Sequence, residues 1–360
     1  MPETSSVGGS AAIDNGRWDL STSKFLRYYS VADRIFCLKG VDEPVLNLAH
    51  DFLSGYYFTP VNLAEAGGPP AHLLPVHLIA LHTTAPPPLP ASDSAFEIED
   101  GHCFTSRGQI VLKVNGSTIV VGLPEFNRTD VWLSESTPGR HQLALNNVIL
   151  YAVQAALRRA GLYQFHAGCV LSDNNRTAIL LVGDSGCGKS TLTATLMRSG
   201  WNFVSDDNLL LRDSSAGIEA WALRRYFTFH EATLKACNLI TFKESIGGRV
   251  PGKTEKFRFY ARQAFPGKFV DKCLPGAILF PTVSHEPKSR VEPLKQGDAL
   301  ARLIRQCPWA TCDGAAAPLH LSALAKLASQ ARSYTLFAGR DVFDDPASIP
   351  GLITQQIEIL

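Results

Sequence analysis

The sequence predicts an α/β protein with a large C-terminal core and a smaller N-terminal α+β subdomain. Two observations support this class. An apolar, strand-like run at residues 179–182 leads directly into a glycine-rich loop and a helical run, and a helical pattern at 142–160 precedes this unit. A chain of 360 residues is long enough to bury a core in each of two subdomains. We therefore divide it into a disordered tail at 1–20, an N-terminal subdomain at 21–160 and a C-terminal domain at 161–360.

The N-terminal subdomain is predicted to combine strands with helices. Residues 24–38 and 45–58 have mixed strand and helix patterns with many aromatic residues. An Asn-Gly pair at 115–116 separates two β-branched runs, which predicts a tight hairpin. The apolar spacing at 142–160 predicts the helix that joins this subdomain to the C-terminal domain.

A phosphate-binding loop is the clearest motif of the chain. The strand at 179–182 is followed by G-x-x-x-x-G-K-S-T, whose members are Gly183, Asp184, Ser185, Gly186, Cys187, Gly188, Lys189, Ser190 and Thr191. Such a loop wraps backbone N–H groups around phosphate oxygens at the start of a helix. Lys189 is expected to reach the β- and γ-phosphates, and the Ser190 hydroxyl to bind Mg²⁺. The motif therefore predicts binding of a nucleoside triphosphate, with ATP and Mg²⁺ as cofactors.

Two adjacent carboxylates follow the loop and its helix. Asp206 and Asp207 interrupt the apolar run 202–211, which we predict to be one short strand. Neighbouring like charges in an apolar strand need a metal or a partner charge to compensate them, and Mg²⁺ bound with ATP would do so. One carboxylate is then expected to help hold the metal and the other to accept the proton of an attacking hydroxyl. The alternative is a strand end with two solvated aspartates.

A histidine precedes the loop in a predicted hairpin. His166 comes directly before the strand-like residues 167–171, and the polar turn 172–176 connects them to the strand that enters the loop. This arrangement places His166 on the neighbouring strand, near the phosphates. A structural histidine is the alternative.

Together these motifs resemble the catalytic domain of the HPr kinase/phosphorylase family, which shares its core with the phosphoenolpyruvate carboxykinases. The matching features are His-x-Gly before a hairpin, GDSGxGKS, and a DD pair after one helix. The resemblance implies that Lys189 and Ser190 are the loop lysine and the metal-binding hydroxyl. It also implies that Asp207 is the base, that Asp206 binds metal or substrate, and that His166 pairs with these carboxylates.

The resemblance covers about residues 160–350, and its specific motifs lie within 165–211. Residues 274–280 and 293–304 are also similar to a later strand and helix of the group. The glycine-rich E-x-R-G signature of the bacterial enzymes has no match in the sequence, and the region before residue 160 does not resemble their N-terminal domain. The identity of the acceptor and any phosphorolysis activity therefore stay open.

A basic, aromatic stretch lies between the acidic pair and residue 274. We expect it to close over the phosphates or to hold an acidic substrate, and Gly247, Gly248 and Gly252 predict a flap. A solvated basic face is the alternative. The cations of this stretch are Arg224, Arg225, Lys253, Lys256, Arg258, Arg262 and Lys268.

Composition limits the remaining classes. A net charge of +1 gives no electrostatic basis for nucleic-acid binding, and no apolar run has the length of a membrane span. Eight cysteines without a C-x-x-C pair indicate cytosolic thiols, so we expect a cytoplasmic protein. Self-association into a homo-oligomer stays open.

We therefore expect a kinase that transfers the γ-phosphoryl group of ATP to a serine-type hydroxyl of a protein, peptide or small molecule. Two other classes are kept as alternatives: an ATPase subunit of a larger machine, and a nucleotide-sensing protein without transfer activity. The ATPase is disfavoured because the sequence has no L-S-G-G-Q-like signature. A carboxykinase-like reaction is a weaker third alternative.

Overall fold

The computed structural model describes most of the chain as a mixed α/β fold. The described residues are 25–40, 43–62, 76–82, 84–86, 94–98, 101–106, 108–122, 127–134, 142–172, 177–250 and 253–357. The predicted tail at 1–20 lies outside them, and so does Gly252. None of the described helices is long and apolar enough to cross a membrane.

The N-terminal half is built on a mixed sheet with strand order β3-β1-β2-β4-β9-β8-β7-β6-β5. Its strands are β1 Leu26–Val31, β2 Arg34–Lys39, β3 Thr59–Val61, β4 Val76–His82, β5 Ser94–Ile98, β6 Gly101–Ser106, β7 Gln109–Val114, β8 Ser117–Val121 and β9 Arg128–Trp132. The described residues of this half form the helices α1, Glu43–Ser54, and α2, Gln142–Arg159, and the second confirms the predicted helix. The predicted hairpin is confirmed as well: β7 pairs with β8, and Asn115 and Gly116 have φ of 49° and 78°.

The C-terminal half contains three sheets. Its strands are β10 Leu162–Phe165, β11 Ala167–Leu171, β12 Ala178–Val182, β13 Asn202–Ser205, β14 Leu209–Ser214, β15 Gly217–Ala222, β16 Phe227–His230, β17 Ile246–Val250, β18 Lys253–Phe259, β19 Lys272–Cys273, β20 Pro275–Val283, β21 Arg290–Pro293 and β22 Arg332–Ala338. Their orders are β13-β11-β12-β20-β22-β21, β10-β14-β15-β19 and β16-β18-β17. In the first of these sheets β12, β20 and β22 are parallel, whereas β11 is antiparallel to both of its neighbours.

Helices connect strands in the described part of the C-terminal half. They are α3 Lys189–Arg198, α4 Glu231–Ala236, α5 Ala261–Ala264, α6 Gln296–Arg305, α7 Trp309–Cys312, α8 Ala317–Gln330, α9 Asp341–Asp344 and α10 Ser348–Gln356. Side chains that alternate along β12 pack into two different apolar clusters, one containing Leu180 with helices α6 and α8, the other containing Leu181 with helices α3 and α10. This burial on both faces explains why the strand reads as a continuous apolar run.

The N-terminal sheet has its own apolar cluster, packed against α2. That cluster also takes in Leu162, Leu210 and Leu223 from the C-terminal half. The two halves are therefore joined by shared apolar packing, and the division at residue 160 stays a prediction.

The predicted single strand at 202–211 is wrong. The chain forms two strands there, β13 and β14, which belong to different sheets. The reversal is closed by Ser205, whose Oγ donates to the Asn208 carbonyl at 2.6 Å and accepts from the Asn208 N–H at 3.2 Å. Asp206, Asp207 and Asn208 favour a turn because short polar side chains compete with strand pairing. The acidic pair consequently occupies a turn between two strands.

The predicted glycine flap is a strand pair in the structure. Strands β17 and β18 form a hairpin, and β18 also pairs with β16. Gly247 permits a close approach, since a Cβ there would lie 2.8 Å from the Tyr260 ring. This basic segment is therefore held in a sheet beside the acidic turn.

Candidate active site

Three motifs that are separate in sequence meet at one edge of the central sheet. Ala167, the first residue of β11, is opposite Val182, the last residue of β12. On the other side of β11, Cys169 is opposite Ser205, the last residue of β13. The histidine before β11, the loop after β12 and the acidic pair after β13 therefore come together, as a direct consequence of strand register.

The backbone of the loop turns at two glycines. Gly186 and Gly188 have φ of 85° and 98°, in the left-handed region that glycine adopts without strain. Lys189 is buried, and its Nζ donates to the carbonyls of Gly183 at 2.6 Å and Asp184 at 3.0 Å. These contacts hold the ammonium group over the loop.

The loop's other side chains have different environments. The carboxylate of Asp184 accepts a hydrogen bond from Gln306 Nε2 at 2.7 Å, which ties the loop to the end of α6. Ser185 is exposed, and Cys187 is a half-buried free thiol. Sequence reasoning did not identify Gln306, because 122 residues separate it from Asp184.

The two residues expected to bind Mg²⁺, Ser190 and Asp206, lie on neighbouring elements. Ser190 and Thr191 are half-buried in the first turn of α3, and Asp206 follows β13. Among the described residues, no three or more His, Cys, Asp or Glu side chains form a metal cluster. A hydroxyl and one carboxylate fit Mg²⁺ held mainly by nucleotide phosphates and water, because this ion uses few protein ligands in such sites.

Asp207 is held on both of its carboxylate oxygens. His166 Nε2 lies 3.2 Å from Oδ1, and Asn208 Nδ2 donates to Oδ2 at 3.3 Å. Asn208 is in turn fixed by Gln164, whose Nε2 donates to its Oδ1 at 2.7 Å. The Asp207 side chain is 18% exposed, so it is oriented by its neighbours and still reachable by a ligand.

Asn208 was missed at the sequence level, although it follows the acidic pair directly. An asparagine in a turn has an ordinary structural explanation, and only the folded chain brings its amide to Asp207.

Asp206 is in a very different environment from its neighbour. It is 1% exposed, and its Oδ2 accepts a hydrogen bond from the Thr228 N–H at 2.7 Å. Burial, reinforced by the negative charge of Asp207, raises the pKa of Asp206 to about 7, although Arg224 and the Thr228 N–H act in the opposite direction. The two adjacent carboxyl groups are thus distinguished by burial, as expected when two neighbouring carboxyl groups have different roles.

His166 is favoured in its neutral form. Burial lowers the pKa of His166, and Lys189, Arg224 and Lys256 lower it further, whereas Asp207 raises it. A neutral imidazole protonated on Nε2 donates a hydrogen bond to Asp207, which leaves the negative charge on the carboxylate. The arrangement orients Asp207 without taking up its capacity to accept a proton.

We expect Lys189→Ala to weaken binding of Mg²⁺·ATP at least about tenfold, because it removes the buried ammonium group at the loop. Isothermal titration calorimetry measures this change. Lys326→Ala is the matched control, since Lys326 is an exposed lysine on α8. Equal affinity of the Lys189 variant and the control protein would remove Lys189 from the nucleotide site.

Gly168 permits close packing beneath the site. A Cβ at this position would lie 2.8 Å from Thr193 Oγ1 on α3 and 3.2 Å from the Asp206 carbonyl. We therefore expect Gly168→Ala to destabilise the protein by about 1–3 kcal/mol in urea unfolding, because the overpacked strand must shift. Gly276→Ala is the control, because its nearest neighbour would be 3.8 Å away. A loss no greater than that of the control would contradict the packing argument.

Three comparisons place the chain beside known proteins. No protein-family model and no curated protein matches the chain. Among solved structures, the chain is similar to the HPr(Ser) kinase/phosphatase of Coxiella burnetii, with a TM-score of 0.29 and 12% sequence identity. The match covers 53% of this chain and 94% of that one. At this level the chain is an α/β protein with a distant likeness to that structure.

Proposed function

We propose that this protein is an ATP- and Mg²⁺-dependent kinase that transfers the γ-phosphoryl group to a serine-type hydroxyl. The observation that carries the proposal is the meeting of the phosphate-binding loop with Asp207, an oriented and partly exposed carboxylate, at one sheet edge. A nucleotide sensor has no need for an oriented base beside the phosphates, whereas an ATPase would use the same carboxylate to activate water, so the labelled product separates these two enzymes.

In the proposed reaction, Lys189 and the loop N–H groups hold the β- and γ-phosphates. Ser190 and Asp206 would hold Mg²⁺, which would neutralise part of the phosphate charge. The acceptor oxygen forms a bond to the γ-phosphorus, the bond from this phosphorus to the β,γ-bridging oxygen breaks, and ADP leaves. Asp207 accepts the hydroxyl proton, and His166 and Asn208 keep its oxygens in place.

Incubation with γ-labelled ATP, Mg²⁺ and a host extract, beside Asp207→Asn, tests the proposal. Label on a hydroxyl-bearing acceptor only with the intact protein supports a kinase. Free phosphate without a labelled acceptor would indicate the ATPase alternative, and bound nucleotide with neither product would indicate a sensor.

A further inference from the structure

We propose that the acceptor is a small alcohol bearing a carboxylate or phosphate group, bound in a cavity between the two halves of the chain. This inference rests on the proposed kinase function and names the substrate class of the same site. The cavity has a volume of about 580 Å³, and Asp207 is among its lining residues. A molecule in it can therefore present a hydroxyl to the carboxylate that we assign as the base.

The size of the cavity favours a small molecule. Pockets for small ligands span about 300–1,000 Å³, so the volume fits one molecule of that class. The N-terminal half contributes Tyr56 and Asn146 to the lining, and the C-terminal half contributes Arg224, Tyr226 and Arg258.

The charge of the lining favours an anion. Among the described residues that line the cavity are three arginines, Arg224, Arg225 and Arg258, and two acidic residues, Asp51 and Asp207. Arg225 is already engaged, since its Nε donates to the Tyr56 carbonyl at 2.7 Å. These lining residues therefore carry more positive than negative charge, and an anionic group on the ligand would balance the excess.

Two of these arginines form a platform with Tyr226. The guanidinium carbons of Arg224 and Arg258 lie 5.4 Å and 5.3 Å from the centre of its ring. Both arginines line the cavity, and their Nε atoms are buried. A carboxylate or phosphate accepts well from the outer N–H groups of a guanidinium. The platform thus offers donors and positive charge to an anionic group.

Strand register places Arg258 beside the acidic turn. Arg258 on β18 is opposite Thr228 on β16, and the Thr228 N–H binds Asp206. Arg224 also interacts electrostatically with both Asp206 and Asp207. We therefore assign Arg258 as the main anchor for the acceptor anion and Arg224 as a charge shared with the acidic pair.

The N-terminal half is hydrogen-bonded to the segment that lines the other side of the cavity. The Tyr57 N–H donates to the Leu223 carbonyl at 2.9 Å, and the Arg225 N–H donates to the Gly55 carbonyl at 3.0 Å. The segment after α1 is thus hydrogen-bonded to the segment that carries the arginines. This gives the N-terminal half a direct role in acceptor binding.

Binding of matched small alcohols tests the inference. Glycerol, D-glycerate and glycerol 3-phosphate share a hydroxylated carbon chain and differ in the anion, so calorimetry with each separates the effect of charge from that of the hydroxyl groups. We expect at least one of the two anions to bind, glycerol to bind at least about tenfold more weakly, and Arg258→Ala to weaken the anion about ten- to a hundredfold. Arg262→Ala is the control, because Arg262 packs over Phe269 at 4.4 Å and does not line the cavity.

The outcomes separate this inference from the kinase proposal. Equal binding of glycerol, no binding of either anion, or no effect of Arg258→Ala relative to Arg262→Ala would overturn the anionic acceptor. Retained Mg²⁺·ATP binding and label transfer to a protein in those cases would leave the kinase proposal standing. Failure to bind or use ATP, with anion binding intact, would overturn the kinase proposal instead.

Discussion

Replacement of Asp207 by asparagine is expected to lower phosphoryl transfer at least about a hundredfold while leaving ATP affinity within a few-fold. The variant keeps the shape of the side chain and an oxygen that can accept from His166, but it cannot accept a proton. Because 18% of the side chain is exposed, the change should cost little in folding. The two measurements are calorimetric ATP affinity and the rate of label transfer.

Asp213→Asn is the matched control for this variant. Asp213 is an exposed carboxylate paired with Lys326, so the same loss of charge occurs away from the loop. Transfer by Asp207→Asn at more than about a tenth of the normal rate would exclude proton acceptance by Asp207 as a main contribution.

His166→Gln should have a smaller effect than Asp207→Asn. Glutamine keeps a donor for the carboxylate but not the ring geometry, so we expect a reduced rate and an unchanged ATP affinity. Equal losses in the two variants would mean that His166 itself accepts the proton, and Asp207 would then be its orienting partner.

The sequence predicted the parts of the site that depend on local patterns. The loop has a strand on one side and a helix on the other, so its identity and conformation follow from a short segment. The hairpin that brings His166 to the loop strand is also local, since the intervening turn is brief. In both places turn chemistry and apolar runs agree.

Other parts of the site depend on hydrogen bonds between residues that are far apart in the sequence. Gln306 reaches Asp184 across 122 residues, and Thr228 reaches Asp206 across 22. No local pattern marks either contact. The strand predicted at 202–211 failed for a related reason: its apolar runs are buried in two different sheets, and periodicity cannot separate one long strand from two short ones.

The cavity could not be predicted from the sequence for the same reason. The sequence predicts a basic stretch, but it does not predict that Tyr56 and Asn146 line a cavity together with that stretch. Such a site depends on how α1 and α2 pack against the C-terminal half.

The second large effect is expected at Asp206, because the burial of this carboxyl group lowers the free energy of unfolding when the group is charged. Its pKa in the folded protein, about 7, lies above the ordinary value of 3.8, so the folded state holds a proton that the unfolded chain has released. Stability of the metal-free protein should therefore fall as the pH rises from about 4 to about 7, and the full cost should be present above that range. Mg²⁺ bound at this carboxylate would offset the cost by stabilising the charged form.

Asp206→Asn removes this titration while keeping an oxygen for the Thr228 N–H. We expect the metal-free variant to be more stable than the unmodified protein by at least about 1 kcal/mol at pH 8, since one pKa unit corresponds to about 1.4 kcal/mol. The gain should shrink towards pH 5, where Asp206 is protonated and uncharged. Urea unfolding at both pH values, with Asp213→Asn as the exposed control, measures the difference.

The same variant should lose stabilisation by Mg²⁺·ATP and most of the transfer activity, because the buried carboxylate that costs folding energy is the one assigned to the metal. We expect a more stable but inactive protein. The charged Asp206 destabilises the fold when no ion is bound, and its proposed role in binding the metal requires that charge. If the gain in stability were absent at pH 8, or present equally at pH 5, the raised pKa would not arise from a buried charge. If the gain appeared with transfer intact, Asp206 would be buried for packing alone, and the metal would have to be held by Ser190 and the phosphates without it.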